Sequence, residues 1–204
     1  MVLSLYYQAV PDNCRLLAKA KRDVSFGSYL EKCVYIREFA SLNAGGISDD
    51  PQFNDFIAEM RGMVEEHPWI EERNLNLGRN WDVLHYLISP KRRGEVSNGY
   101  SDWMDRAING GDMLHDQVKT GSGTPIKFLN PAEVADISSQ LSDLAFQSVC
   151  QNWHLTTLKD TDVYRPIVLD EEQFFDDICR DLKRLQTFYA VVSKYGEGII
   201  TLAI

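Results

Sequence analysis

Residues 170–204, DEEQFFDDICRDLKRLQTFYAVVSKYGEGIITLAI, decide the architecture. Phe174, Ile178, Leu182, Leu185, Tyr189 and Val192 recur at the three-to-four-residue interval that lines one face of an amphipathic helix. Asp170 and Gln173 read as a capping box at its start, and Gly196 as its C-terminal stop. Asp170, Glu171, Glu172, Asp176 and Asp177 crowd the first turns while Lys194 stands near the end, the arrangement a helix dipole favours. That acidic cluster therefore needs no functional explanation. Beyond Gly196 the run GIITLAI has the character of a short buried strand.

The other end of the chain opens in the same way, on VLSLYYQAV (2–10), rich in β-branched and aromatic residues. Strands at both ends with helices between them predict one α+β domain over residues 1–204, several amphipathic helices packed on a small sheet that holds both terminal strands. Pro11 opens a short helix with Cys14, Leu17 and Ala18 on one side. A second helical stretch runs from about Gly27 to Ser41, and Gly45-Gly46 break it. Asp50 before Pro51 starts a third, with Phe53, Phe56, Ile57, Met60 and Val64 inside. Leu77, Trp81, Leu84, His85 and Ile88 form a stripe that predicts a helix from Leu77 to Ile88. Asn130, Pro131 and Glu133 give a capping box ahead of Val134, Ile137, Leu141 and Leu144. In between, at about 94–124, lies a glycine-rich loop excursion carrying Tyr100, Trp103, Met104 and Ile108, apolar side chains that must dock against something.

Composition limits the function. The chain has 204 residues, enough to bury about 70% of its unfolded surface without a metal or disulfide to hold it. Thirty acidic against twenty-one basic residues leave a net charge of −9. Nucleic-acid binding draws its affinity from Lys and Arg, so such a surplus of carboxylates argues against it and suits a basic protein partner instead. No apolar stretch approaches the roughly 20 residues of a membrane span, mean hydropathy is −0.28, and Asp12 comes too early for a secretory signal. The expected location is the cytoplasm, where Cys14, Cys33, Cys150 and Cys179 would stay reduced and act as core filler.

Catalytic signatures are sparse. There is no GxSxG elbow, P-loop, GxGxxG or HExxH, and nothing calls for a cofactor or metal. Gly121-Ser122-Gly123-Thr124 lacks the lysine of a phosphate loop and reads as a turn. Asp82 and His85, three apart on one helix, have the spacing for a carboxylate that orients an imidazole base or ligand. His85 also lies in the apolar stripe, where a buried histidine with one satisfied hydrogen bond serves packing alone. His115-Asp116 lacks the further ligands a metal site needs. Trp81 and Trp153 read as core, and Trp103 as a pocket wall or interface anchor.

Several blocks in order resemble the YfbM-like family of bacterial proteins, a domain of unknown function. They are LGRNWDVLHYLI (77–88), INGGD (108–112), TPIKFLNPAEVADI (124–137), VYRPI (163–167) and FYAVVSKYGEGIITLAI (188–204). Trp81, Leu84 and His85 match the family's core helix, Gly110-Gly111 its glycine turn, and Phe128 to Pro131 its helix entry, with Phe and Asn substituting. The resemblance implies a compact α+β domain and brings no activity or cofactor. By analogy of size and charge alone, small acidic bacterial domains also include proteins that neutralise toxins by binding them. Two functions stay open. One is a non-enzymatic interaction module, immunity or regulatory in kind, with an acidic binding face. The other is a small-molecule-binding protein or enzyme with a pocket at Asp82, His85 and Trp103.

Overall fold

The C-terminal strand is the centre of the molecule. The computed structural model describes residues 4–37, 48–89, 103–145, 158, 161, 163 and 171–204. Strand β5 (Glu197–Ala203) pairs antiparallel with β1 (Leu5–Pro11) along its whole length, from Leu5 opposite Ala203 to Pro11 opposite Glu197. On its other side lies β4 (Lys127–Leu129), which pairs in turn with β3 (Asp112–Met113). Strand β2 (Asn74–Gly78) joins β1, completing an antiparallel sheet in the order β2-β1-β5-β4-β3. Residues 197–202 are all buried, as expected of a strand covered on both faces.

Seven helices among the described residues pack on this sheet: α1 (Arg15–Ala20), α2 (Val24–Ser28), α3 (Pro51–Glu66), α4 (Trp81–Ile88), α5 (Trp103–Asn109), α6 (Pro131–Asp143) and α7 (Glu171–Tyr195). The α+β architecture with both terminal strands in one sheet is thus observed. Helix α6 starts with the expected capping box, Asn130 accepting from Glu133 N and Glu133 accepting from Asn130 N. Gly196 stops α7 with φ +64°, a left-handed conformation that costs glycine little. The start of the expected capping box, Asp170, lies outside the described residues. All six stripe residues of α7 are buried.

Four expectations change, the first at Pro11, which ends β1 instead of opening a helix: α1 begins at Arg15, and Ala18 is exposed. Leu77 belongs to β2, where Asn74 and Asn76 face outward and Leu75 and Leu77 inward, and the helix begins only at Trp81. Gly78, at φ +56°, breaks the chain between them, so the helical spacing of Leu77 to Trp81 is coincidental. The second helical stretch starts earlier, because the Asp23 side chain caps Phe26 N. It continues as a 3₁₀ segment over Tyr29–Tyr35, with Leu30 and Cys33 buried. From residue 103 onward the glycine-rich excursion is also more regular than a loop, holding α5 and β3, with Ala107, Ile108 and Val118 fully buried. Its turn at 121–124 brings the hydroxyls of Thr120, Ser122 and Thr124 to donate to the Ala203 carbonyl at the end of β5.

Two buried phenols hold α5 in place: Tyr7 OH donates to Ile108 O at 2.7 Å and Tyr189 OH to Ala107 O at 3.0 Å. Burial pushes both phenols well above the usual tyrosine range, so they remain donors at ordinary pH. Burial likewise pushes the Cys33 thiol up to about 12, in keeping with a core-filling cysteine. After α5 the chain turns through Gly110, at φ +80°, and Gly111, where a Cβ would stand 2.1 Å from the Phe128 carbonyl oxygen. Gly111→Ala should therefore separate β4 from this turn and lower the unfolding free energy by about 3 kcal/mol, measurable by urea denaturation.

Candidate functional site

Helix α4 is buried along nearly its whole length, from Asp82 to Ile88, and its start is anchored by Asn80, whose Nδ2 donates to Asp181 Oδ2 on α7 at 3.0 Å. His85 is 4% exposed, and its Nε2 lies 2.8 Å from Asp105 Oδ1 on α5. Asn109 Nδ2 donates to the same oxygen at 3.2 Å, bracing the carboxylate from one turn along. The structure thus brings an aspartate to His85 across a helix pair, where sequence spacing pointed to Asp82. Asp82 is 7% exposed in the first turn of α4, a position the helix dipole favours. Trp103 opens α5, half-buried against the core, and Trp81 packs there in the same way. A buried imidazole bonded to a carboxylate is a satisfied core histidine, and it is equally an oriented acid–base group.

The other sequence features lie apart from this pair. His115 Nδ1 sits 2.9 Å from Asp116 Oδ1 and accepts from Gln117 N, a local turn arrangement. Cys14 and Cys33 are buried free thiols and Cys179 is half-buried, while Cys150, Trp153, His154 and the Lys91-Arg92-Arg93 cluster lie outside the described residues.

A second place emerges only from the fold. Helix α3 ends at Glu66, and after His67 and Pro68 the chain adopts φ +76° at Trp69, which among the described residues is the only non-glycine with positive φ. A bulky side chain in that region is strained and persists only where its surroundings over-determine it. Here they do. Ile70 is fully buried, Glu72 N donates to Trp69 O and Arg73 N to Ile70 O. From β1, Gln8 Nε2 donates to Ile70 O at 2.9 Å. The tightly held turn points the indole outward, 68% exposed. Glu65 and Glu66 precede it and Glu71 and Glu72 follow, and all but the half-buried Glu71 are exposed. Sequence reasoning passed over Trp69, although the pattern EEHPWIEE, an aromatic between two pairs of acids, was the available signal.

Beyond this turn Arg73 folds back. Its Nη2 donates to Glu197 Oε1 at 2.6 Å in a pair that is 10% and 6% exposed, and its guanidinium lies 4.3 Å from the centroid of the Tyr195 ring. Glu197 lines an acidic depression of about 390 Å³. Arg73 lines a different groove of about 470 Å³, alongside Arg180, Lys183 and Arg184. The ion pair thus stands between an acidic and a basic hollow.

Three comparisons with known proteins bear on this chain. A family model described as "Domain of unknown function (DUF1877)" matches residues 33–202. A crystal structure of YfbM from Escherichia coli, itself titled a protein of unknown function, is similar at a TM-score of 0.56 and 16% identity, covering 98% of this chain and 99% of that one. At that identity the likeness shows the fold alone. No curated protein matches. No helix among the described residues is long and apolar enough to cross a membrane.

Asp105→Ala should leave the His85 Nε2 buried without its carboxylate. Because the Asp105 side chain is 30% exposed, the expected loss of stability is modest, about 1 kcal/mol, with Asp105→Asn losing less. Urea denaturation of the two variants checks both figures.

Proposed function

Because the chain belongs to the DUF1877 family, a domain of unknown function, membership brings no activity with it, and we propose that this domain is a protein-interaction module, inhibitory or regulatory in kind. Its acidic face is centred on Trp69 and receives a basic partner. The observation that carries this reading is Trp69 itself: an exposed tryptophan held in a strained backbone conformation, between two pairs of glutamates. Tryptophan anchors are enriched at the centres of binding surfaces, where a rigid aromatic buries much area at small entropic cost. The net charge of −9 adds long-range attraction for a cationic partner and speeds encounter at low salt. Strain of this kind contributes nothing to stability, so a role in recognition is the simplest reason for its retention.

One observation favours a second reading. The bond between His85 and Asp105, with Trp103 two residues away on the same helix, is a constellation that a ligand-binding or catalytic pocket could use, with Asp82 close by on α4. In that reading a small ligand raises the melting temperature and His85→Ala removes the rise.

Trp69→Gly and Trp69→Ala test the first reading. Glycine relieves the positive φ, so Trp69→Gly should hold or raise stability, by up to about 1 kcal/mol in urea. Both variants should bind the purified, reconstituted partner at least tenfold more weakly, and added salt should weaken the wild-type complex as well. A partner that binds Trp69→Ala and a Glu65/Glu66/Glu71/Glu72 charge-reversal variant as tightly as the wild type would overturn it. Recovery of the tagged protein from its host with no stoichiometric partner would also count against it.

A further inference from the structure

Among the described residues β2 is an outer strand of the sheet, paired with β1 on one edge only. Ala9 N donates to Arg73 O, so the alternation of an antiparallel pair turns the peptide group of Leu75 toward β1 and those of Asn74 and Asn76 away from it. No hydrogen bond among the described residues engages these outward groups. Free strand edges are commonly blocked by lysine, proline or an inward charge, and β2, with the sequence NLNLG, carries none of these.

Helix α7 flanks the same edge. Arg180, Arg184, Thr187 and Val191 recur at helical spacing, a second stripe beside the buried one. Between this stripe and β2 lies the groove of about 470 Å³, whose apolar lining is Leu75, Phe188 and Val191, the last 37% exposed. Arg73, before β2, stacks on Tyr195, and Asn80, after it, reaches Asp181. The strand therefore runs antiparallel to the helix, with Val191 toward one end of the groove and Arg180, Lys183 and Arg184 toward the other.

Those cations remain available to a ligand. Arg180 and Arg184 each meet a carboxylate three residues earlier, Asp177 and Asp181, but their own side chains are 66% and 47% exposed. Exposed pairs of this kind are weak, and each guanidinium keeps further N–H donors. Lys183 is exposed and has no ion pair among the described residues. Glu72, the one acid lining the groove, is engaged by Arg37 at 3.4 Å. On a chain of net charge −9, a basic cluster joined to an apolar strip and an open strand edge complements an anionic, partly apolar chain.

We propose that β2 and the adjoining flank of α7 receive an extended acidic peptide segment, which pairs with Asn74 and Asn76 as an added antiparallel strand. Side chains alternate along a strand, so every second residue of the segment faces α7. Carboxylates then lie beside Arg180, Lys183 and Arg184, and an apolar side chain lies against Phe188 and Val191. The site takes the opposite charge from the Trp69 face and does not depend on it.

The test is an NMR titration of the ¹⁵N-labelled protein with the acetylated, amidated peptide TETETVTVT, whose glutamates meet the cations when it runs antiparallel to β2. Saturable shifts should appear at 74–78 and 180–191, and hydrogen exchange of the Asn74 and Asn76 amides should slow. Replacing each glutamate of the peptide by glutamine should weaken binding at least about fivefold, and replacing each by lysine should abolish it. The Arg180→Gln/Lys183→Gln double variant, altered at two exposed positions, should keep the wild-type spectrum elsewhere and bind at least about fivefold more weakly. No saturable shift, equal binding of the glutamine peptide, binding without protection of Asn74 and Asn76, or an unchanged double variant would each overturn the assignment. Octanoate shifting the same residues at higher affinity than the peptide would overturn it in favour of a free amphiphilic anion. Asn74 and Asn76 amides already protected in a wild-type dimer would overturn it in favour of a second copy of this chain. Trp69→Ala should bind the peptide as tightly as the wild type, so the two proposals stand or fall separately.

Discussion

Everything in this molecule depends on the insertion of its last strand between the first strand and β4. Glu197 to Leu202 are buried without a break, so β5 is sheltered on both faces as well as paired on both edges. That placement demands small residues where backbones crowd. A Cβ at Gly198 would stand 2.7 Å from the Leu129 carbonyl oxygen, and one at Gly111 would collide with Phe128. It also demands that distant segments be brought together, since Leu5 pairs with Ala203 from the far end of the chain. Closing so long a loop is entropically costly, and non-local strand pairing slows folding. Every pairing at the middle of the sheet therefore runs through the same strand.

The centrality of β5 shapes the surface too. Its first residue lies where α7, β1 and the turn after α3 meet, so a charged side chain there has neighbours from three elements. Arg73 arrives from the turn and takes one carboxylate oxygen of Glu197, leaving the acidic hollow on one side and Arg180, Lys183 and Arg184 on the other. Breaking a buried pair of this kind strands a charge, which is destabilising by several kcal/mol in typical proteins. The pair therefore fixes the boundary between two regions of opposite sign on a chain that is acidic overall.

What the sequence discloses follows from how far apart the partners lie. The 25 residues of α7, with their apolar stripe and terminal glycine, carry their own signal, as do the capping box of α6 and the Asp50-Pro51 start of α3. Strands β3 and β4, of two and three residues, are too short for alternation to register. Strand β2 alternates, but Leu77 falls at helical spacing from Trp81 and was absorbed into the wrong period. His85 was legible as a buried position, whereas its bond to Asp105 was not, because helix pairing across twenty residues leaves no spacing to read. EEHPWIEE marks Trp69 in the sequence, but its backbone angle and the unpaired oxygen of Glu197 leave no residue pattern to read.

Those two features are local violations of the rules that the rest of the chain obeys. Elsewhere propensity, capping and burial agree, and agreement across levels is what gives a sequence one structure. A strained, exposed tryptophan would be improved by glycine, and a half-satisfied buried glutamate is less stable than an apolar residue of its shape. Each feature alone could be a tolerated defect. Their positions argue otherwise, because Arg73 ends the turn that holds Trp69 and is also the residue that binds Glu197 and stacks on Tyr195. One arginine thus connects both departures from stability. On the interaction-module reading proposed above, stability given up at two points linked by one arginine would serve recognition.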